Sequence, residues 1–245
     1  MATHALDRVR QDRIFYTAMG CAVAVTVFAG FARTYYLAHW FAPPPRMPAM
    51  TPLLHLHAFC FTLWILLGVA QPALVAKGRP DLHRRLGWLA AATAIAVWAL
   101  GNIVSAQSMK IGYRALGDPY AFYIVTFFSM QAFGLIVLLA ILKRKDAQTH
   151  KRLMLLSSAA ILEAAFGRIP LHLIELTAPL SFYVGSELII LAGIVYDRAT
   201  RGRVHPIWTW GGGALVASQL LRIAIMHTPA WLAFAHGVSA LAGPN

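Results

Sequence analysis

Residues 119–142 read PYAFYIVTFFSMQAFGLIVLLAIL, a stretch without one charged side chain. A helix crosses the hydrocarbon of a bilayer with about 20 consecutive apolar residues. This segment meets that length, and six others resemble it: about 14–38, 51–76, 85–107, 152–172, 177–197 and 205–226. The whole chain of 245 residues is 59% hydrophobic and 12% charged. A soluble domain carries about 25% charged residues. Half that charge on so apolar a chain excludes disorder and argues against a soluble globular domain. The expected fold is an all-α integral membrane bundle of about seven transmembrane helices, a single domain over 1–245. Residues 229–242 are apolar but too short to cross, so they read as an interfacial helix or a re-entrant stub.

The formal net charge is +12. In a soluble protein that excess would suggest nucleic acid. Here no basic and aromatic face is interleaved, so no nucleic-acid partner is expected. Topology explains the charge instead. Fifteen of the Lys and Arg residues fall on one side: Arg8, Arg10 and Arg13, then the loops holding Lys77–Arg85, Lys143–Arg152 and Arg198–Arg203. The opposite loops hold three: Arg46, Lys110 and Arg114. The positive-inside rule then places the N-terminus in the cytoplasm and the C-terminus outside, in a bacterial inner membrane. The first apolar run outlasts the 7–15 residues of a signal peptide core, so it reads as a retained helix. Cys21 and Cys60 lie in apolar segments without a CxxC, which excludes a disulfide framework or zinc knuckle. Pro43-Pro44-Pro45 predicts an extended first loop. Asp81 and Thr149 read as N-caps. Gly211-Gly212-Gly213 predicts a kink or close helix approach. Pro170 should disturb the outer end of the fifth span.

Two helix starts repeat. Residues 83–88 read His-Arg-Arg-Leu-Gly-Trp and residues 150–155 read His-Lys-Arg-Leu-Met-Leu. Snorkelling to headgroups accounts for the basic residues, but less well for a histidine at the same offset twice. With the histidine near the start of the second span and Arg168 late in the fifth, these motifs form an ordered set over about residues 51–170. The set resembles uncharacterised bacterial multi-pass membrane proteins. More distantly it is similar to membrane proteins implicated in assembly of haem-copper oxidases. The resemblance implies architecture, a short list of residues and an oxidase or other membrane redox complex as a possible class of partner. It implies no reaction.

Ionisable residues inside a span are costly and mark functional candidates. His57, Trp64 and Gln71 lie on one stripe of the second span, while His55 projects about 200° away. On a regular helix His150, Arg168 and His172 of the fifth span project within about 40° of one another. Glu163 points elsewhere, with a buried pair to Arg168 or Arg222 as its plain structural role. Glu187, Asn102 and Arg222 complete the buried polar candidates, Arg222 sharing a face with Gln219.

Three function classes fit these residues. In the first, histidines bind haem b for membrane electron transfer, His57 with His172 near the outside and His83 with His150 near the cytoplasm. Arg168 would pair with propionates. Against this, His83 and His150 sit at span ends rather than a turn inside, and His150 to His172 is about 33 Å along a helix, the whole depth of the membrane. In the second, a transition metal sits on His55 and His57, which requires extended chain there. In the third, the protein is a non-catalytic assembly factor or a small-molecule or proton transporter. No HExxH, Walker loop, GxGxxG or nucleophile elbow is present.

Overall fold

The computed structural model describes residues 2–42, 49–111 and 117–241, with side chains from residue 7 onward except those of residues 111 and 175. Pro43-Pro44-Pro45, Arg46 and Arg114 lie outside the described residues. Every described element is helical: α1 (Ala2–Phe31), α2 (Pro52–Ala76), α3 (Pro80–Ile111), α4 (Pro119–Leu142), α5 (Ala147–Ala159), α6 (Glu163–Phe166), α7 (His172–Leu176), α8 (Val184–Arg201), α9 (Gly213–Ile225) and α10 (Pro229–Leu241). Wide π-turns extend α1 over Ala32–Tyr36 and precede α9 over Ile207–Gly212. Successive long helices pack side by side, α1 on α2, α2 on α3, α3 on α4 and α4 on α5.

Among the described residues, five helices are long and apolar enough to cross a membrane: Asp7–Tyr36, Pro52–Ala76, Pro80–Lys110, Pro119–Leu142 and Leu180–Arg201. They match the first four expected spans and the sixth. The expected fifth stretch is helical but interrupted; the expected seventh, helical without a break over 206–225, is not among the five. The seventh opens as a π-turn across the glycine run and becomes α9 at Gly213. A Cβ on Gly212 would sit 2.9 Å from Ile190, so the glycine run does mark a close approach.

The fifth stretch departs further from expectation. α5 starts on an Asp146 cap, whose carboxylate accepts from the Gln148 and Thr149 amides at 3.0 and 3.2 Å. Thr149 is therefore not the cap; its hydroxyl donates to Asp146 at 2.6 Å. That donation, with the capped amide, holds the Asp146 carboxyl below the usual carboxylate value. The cap's contribution is thus complete at neutral pH and is lost as pH falls through the lowered value. Asp81 is no cap either: it lies inside the first turn of α3 and pairs with Arg79 at 3.3 Å.

Beyond Ala159 the ladder tightens. Ile161 donates to Ser158, Leu162 to Ala159, Ala165 to Leu162, and Arg168 to Ala165, all to the third residue back, while Phe166 and Gly167 donate to the fourth, Leu162 and Glu163, in α6. Such 3₁₀ bonding turns about 120° per residue. Two contacts accompany the change. The Ser157 hydroxyl donates to the Met154 carbonyl at 2.7 Å, competing with the backbone for that acceptor. The backbone of α1 closes on α6 at Gly30, where a Cβ would lie 2.1 Å from the Ala165 carbonyl oxygen. Only glycine permits that approach. The interruption thus begins ten residues before Pro170, the residue expected to cause it.

α10 is a 13-residue helix that packs on α3 and α4. Its Trp231 donates to the Tyr120 carbonyl at 3.0 Å and sits among Tyr123, Phe127, Phe128 and Phe234. The main core lies between α1, α2, α4, α5 and α8, with Trp64 edge-on to Phe133 at 5.1 Å.

Replacing Gly30 with alanine should destabilise the bundle by about 1–3 kcal/mol, the usual cost of overpacking. Gly68→Ala, whose Cβ meets nothing within 4 Å, should not. Unfolding of both variants in detergent micelles checks this; equal stability of the two would contradict the Gly30–Ala165 closure.

Candidate functional site

At the basic end of the bundle, Arg152 and Asp197 meet with both side chains fully buried. Arg152 Nε donates to Asp197 Oδ2 at 2.8 Å, and a second guanidinium nitrogen donates to Oδ1. This two-pronged geometry suits arginine and not lysine. Asp197 also accepts from Arg201 at 3.2 Å and from the His205 amide at 3.3 Å. Arg152 completes its donors on the Gln148 carbonyl and side chain. A second carboxylate, Asp12 of α1, accepts from Lys151, Arg201 and Tyr196 at 2.5, 2.5 and 2.7 Å. The network therefore joins α1, α5 and α8.

The repeated histidines do come together. The rings of His83 and His150 stand 6.3 Å apart, edge to face. His150 Nδ1 donates to the Ala140 carbonyl at 2.8 Å. The Gln71 amide reaches the same place: with its oxygen accepting from Gly87 N–H at 3.2 Å, its nitrogen donates to His83 Nδ1 at 2.5 Å. His150 then keeps a lone pair on Nε2, and His83 keeps its proton there. The end of α2, the start of α3 and the start of α5 thus share one polar junction.

Deeper in the bundle lies a second junction. Glu163 opens α6 and is 4% exposed. Ser129 of α4 hydrogen-bonds its carboxyl. Arg222 of α9 donates to the same Ser129 hydroxyl at 2.8 Å, and to Ser218. Glu163 and Arg222 are therefore linked through Ser129 rather than joined as a direct ion pair. The Arg222 guanidinium lies 5.9 Å from the Tyr183 ring centre. Gln219, one turn away on α9, donates to Ser186 at 3.0 Å. Glu163 Oε2 and Gln219 Oε1 are buried without a hydrogen-bond partner among the described residues. Buried polar atoms without partners are uncommon in native structures and call for an explanation.

The remaining candidates scatter. His55 and His57 both lie on regular helix in α2, so their side chains diverge and the extended chain that a shared metal would need is absent. His55 is exposed, its Nδ1 3.4 Å from the Tyr35 hydroxyl. The His57 ring packs against Phe61 at 4.3 Å, with Arg168 among the charges acting on it. Arg168 itself donates to the Ala164 carbonyl and lies over the Phe31 ring at 4.7 Å. His172 is exposed at the start of α7. The common face expected for His150, Arg168 and His172 is lost, because the 100° step fails once the ladder tightens. Glu187, expected to be buried, is exposed in the first turn of α8, and Asn102 and Gln71 are half-buried. Asn102 accepts from Gln131 at 2.7 Å.

No protein family, curated protein or solved structure matches the chain. Among the described residues, no group of three or more His, Cys, Asp and Glu side chains is placed to hold a metal ion.

Sequence reasoning missed Asp12, Asp197 and Ser129. The signal for the first two was scarcity. With nine acidic residues against 21 Lys and Arg, a carboxylate inside a basic run is worth placing individually.

Removing one member of a buried ion pair costs about 3–5 kcal/mol, whereas replacing both with apolar groups costs far less. Asp197→Asn should therefore destabilise the protein strongly, and Arg152→Met with Asp197→Leu should recover part of the loss. Denaturant unfolding of the parent and the two variants reads this. An Asp197→Asn protein as stable as the parent would contradict the pair's role.

Proposed function

We propose that the protein is a multi-pass membrane protein that passes protons, alone or coupled to a small solute, across the bilayer through the Glu163–Ser129–Arg222 junction. All seven apolar stretches cross in this reading, with the basic ends of the helices in the cytoplasm. The observation that carries it is Glu163: an ionisable group, buried, at the point where a helix inside the bundle changes its hydrogen bonding. Carboxyls in such places mark proton or ion paths in membrane proteins. Irregular helix at membrane depth is tolerated where it lines protein or a cavity, and transporters use it at their binding sites.

The chemistry follows from the partners. As a carboxylate, Glu163 accepts from Ser129, whose hydroxyl oxygen in turn accepts from the positive Arg222. As a carboxylic acid, it donates from one oxygen instead, and the Ser129 hydroxyl is released to turn. Oε2, which no described side chain holds, is the atom open to proton exchange. The His83–His150 pair supplies a second exchange point toward the basic end, since two imidazoles of opposite tautomer can accept and donate in turn.

A second reading has one observation in its favour. Two imidazoles with ring centres 6.3 Å apart approach the span of axial ligands on one iron, each nitrogen about 2 Å from the metal. In that reading His83 and His150 hold haem b or a transition metal and serve membrane electron transfer, which requires His83 to carry its proton on Nδ1, donated to the Gln71 side-chain oxygen, and to leave Nε2 bare.

Proteoliposomes loaded with a pH-sensitive dye distinguish the two. Under an imposed pH gradient the parent protein should pass protons above the protein-free rate. Glu163→Gln should lower that rate at least about tenfold, within the usual range for losing a proton-transfer group, while remaining folded. An unchanged rate in Glu163→Gln overturns the proposal. A reduced-minus-oxidised visible spectrum with sharp haem bands, lost in His83→Ala and His150→Ala, would establish the second reading instead.

A further inference from the structure

A cleft of about 630 Å³ opens at the basic end of the bundle, between the first turns of α1, the start of α5 and the 202–206 loop after α8. Its polar lining is Arg8, Asp12, Gln148, Arg201, Arg203 and His205. Three guanidinium groups thus face one carboxylate. That carboxylate is already satisfied, since Asp12 accepts from Lys151, Arg201 and Tyr196. Among the described residues no carboxylate pairs with Arg8 or Arg203. The wall therefore presents an excess of positive charge that no described residue neutralises. His205 adds a neutral donor. Its Nδ1 accepts from the Ile207 amide at 3.2 Å, which leaves the ring proton on Nε2.

The loop is held in place to do this. Gly202 takes a left-handed φ of 70°, which ends α8 sharply and turns the chain back. The His205 amide is tied to Asp197. Arg203 and His205 consequently stand on a loop anchored to the buried Arg152–Asp197 pair.

We propose that this cleft binds a phosphate-bearing anion. Guanidinium forks match phosphate oxygens two at a time, and Arg8 and Arg203 come from separate chain segments around one opening, with Arg201 held between them by Asp12 and Asp197. The volume lies in the range of small-ligand sites and exceeds a bare phosphate ion, leaving room for its ester group. The depth fits as well. One crossing-length helix begins at Asp7 and another ends at Arg201, so the opening lies at the level of lipid headgroups. Basic clusters at that level attract anionic lipid. The phosphate is supplied either by an anionic phospholipid headgroup or by a soluble phosphate compound. The inference is independent of the Glu163 junction.

The test uses the full chain, purified and delipidated in detergent. Binding of phosphatidylglycerol, phosphatidylcholine and inorganic phosphate is measured by native mass spectrometry and calorimetry. Arg8→Gln with Arg203→Gln alters the cleft, and neither side chain belongs to the buried network. Arg144→Gln with Lys145→Gln removes equal charge from the loop between α4 and α5, outside the cleft lining. One tightly bound phosphatidylglycerol, weakened about tenfold in the cleft variant and unchanged in the loop variant, is the expected result for a headgroup source. Saturable binding of inorganic phosphate with the same variant pattern assigns a soluble source. Two results overturn the proposal: no preference for phosphatidylglycerol or phosphate over phosphatidylcholine, or equal weakening in both variants, which would mean diffuse charge and no built cleft.

Discussion

The Arg152 guanidinium closes on the Asp197 carboxylate in a place neither shares with solvent. Two buried charges tolerate no slack. Each must keep its partner and satisfy its remaining donors and lone pairs, or the desolvation cost is uncompensated. That constraint fixes the start of α5 against the end of α8. Asp12 extends it to α1 through Lys151 and Arg201. With its first turns fixed, α5 carries His150 to His83 on one side. Through the tightened turns that follow, it carries Glu163 into the core beneath Ser129.

The tightened stretch is the second physical constraint. A helix inside a bilayer must satisfy its own backbone groups, and 3₁₀ bonding does so while changing the rotation of everything beyond it. Here the change occurs where Gly30 of α1 lies against Ala165 and where Ser157 competes for a helix carbonyl. Its consequence is positional: Glu163 meets α4 and α9, and Arg168 reaches over Phe31 of α1. The two polar junctions, at His83–His150 and at Glu163, lie on one chain segment, about 13 residues apart.

Much of the architecture was legible because membrane helices announce themselves by length and apolarity. Five of the seven stretches, the first four and the sixth, appear as crossing-length helices among the described residues. The repeated His-Arg-Arg-Leu and His-Lys-Arg-Leu starts pointed to residues that do meet, because each opens a helix at the same end of the bundle. The interruption of the fifth stretch was not legible. It depends on α1 pressing on α6, a tertiary contact with no local pattern. The projected His150–Arg168–His172 face failed for that reason, since it assumed a uniform 100° step. Glu187 failed differently: its place inside the sixth apolar stretch suggested burial, yet it is exposed on α8. Asp12 and Asp197 were hidden by counting basic runs as topology signals without asking what the acids within them do.

A carboxyl that relays protons must exist in both protonation states under conditions where the protein remains folded. The direct measurement is pH-difference infrared spectroscopy of the folded protein in lipid, with Glu163→Gln as the reference. A carboxyl C=O stretch that appears and disappears reversibly with pH in the parent, and is missing from Glu163→Gln, is the predicted result. A Glu163 that keeps one protonation state across the whole pH range of the folded protein would contradict it.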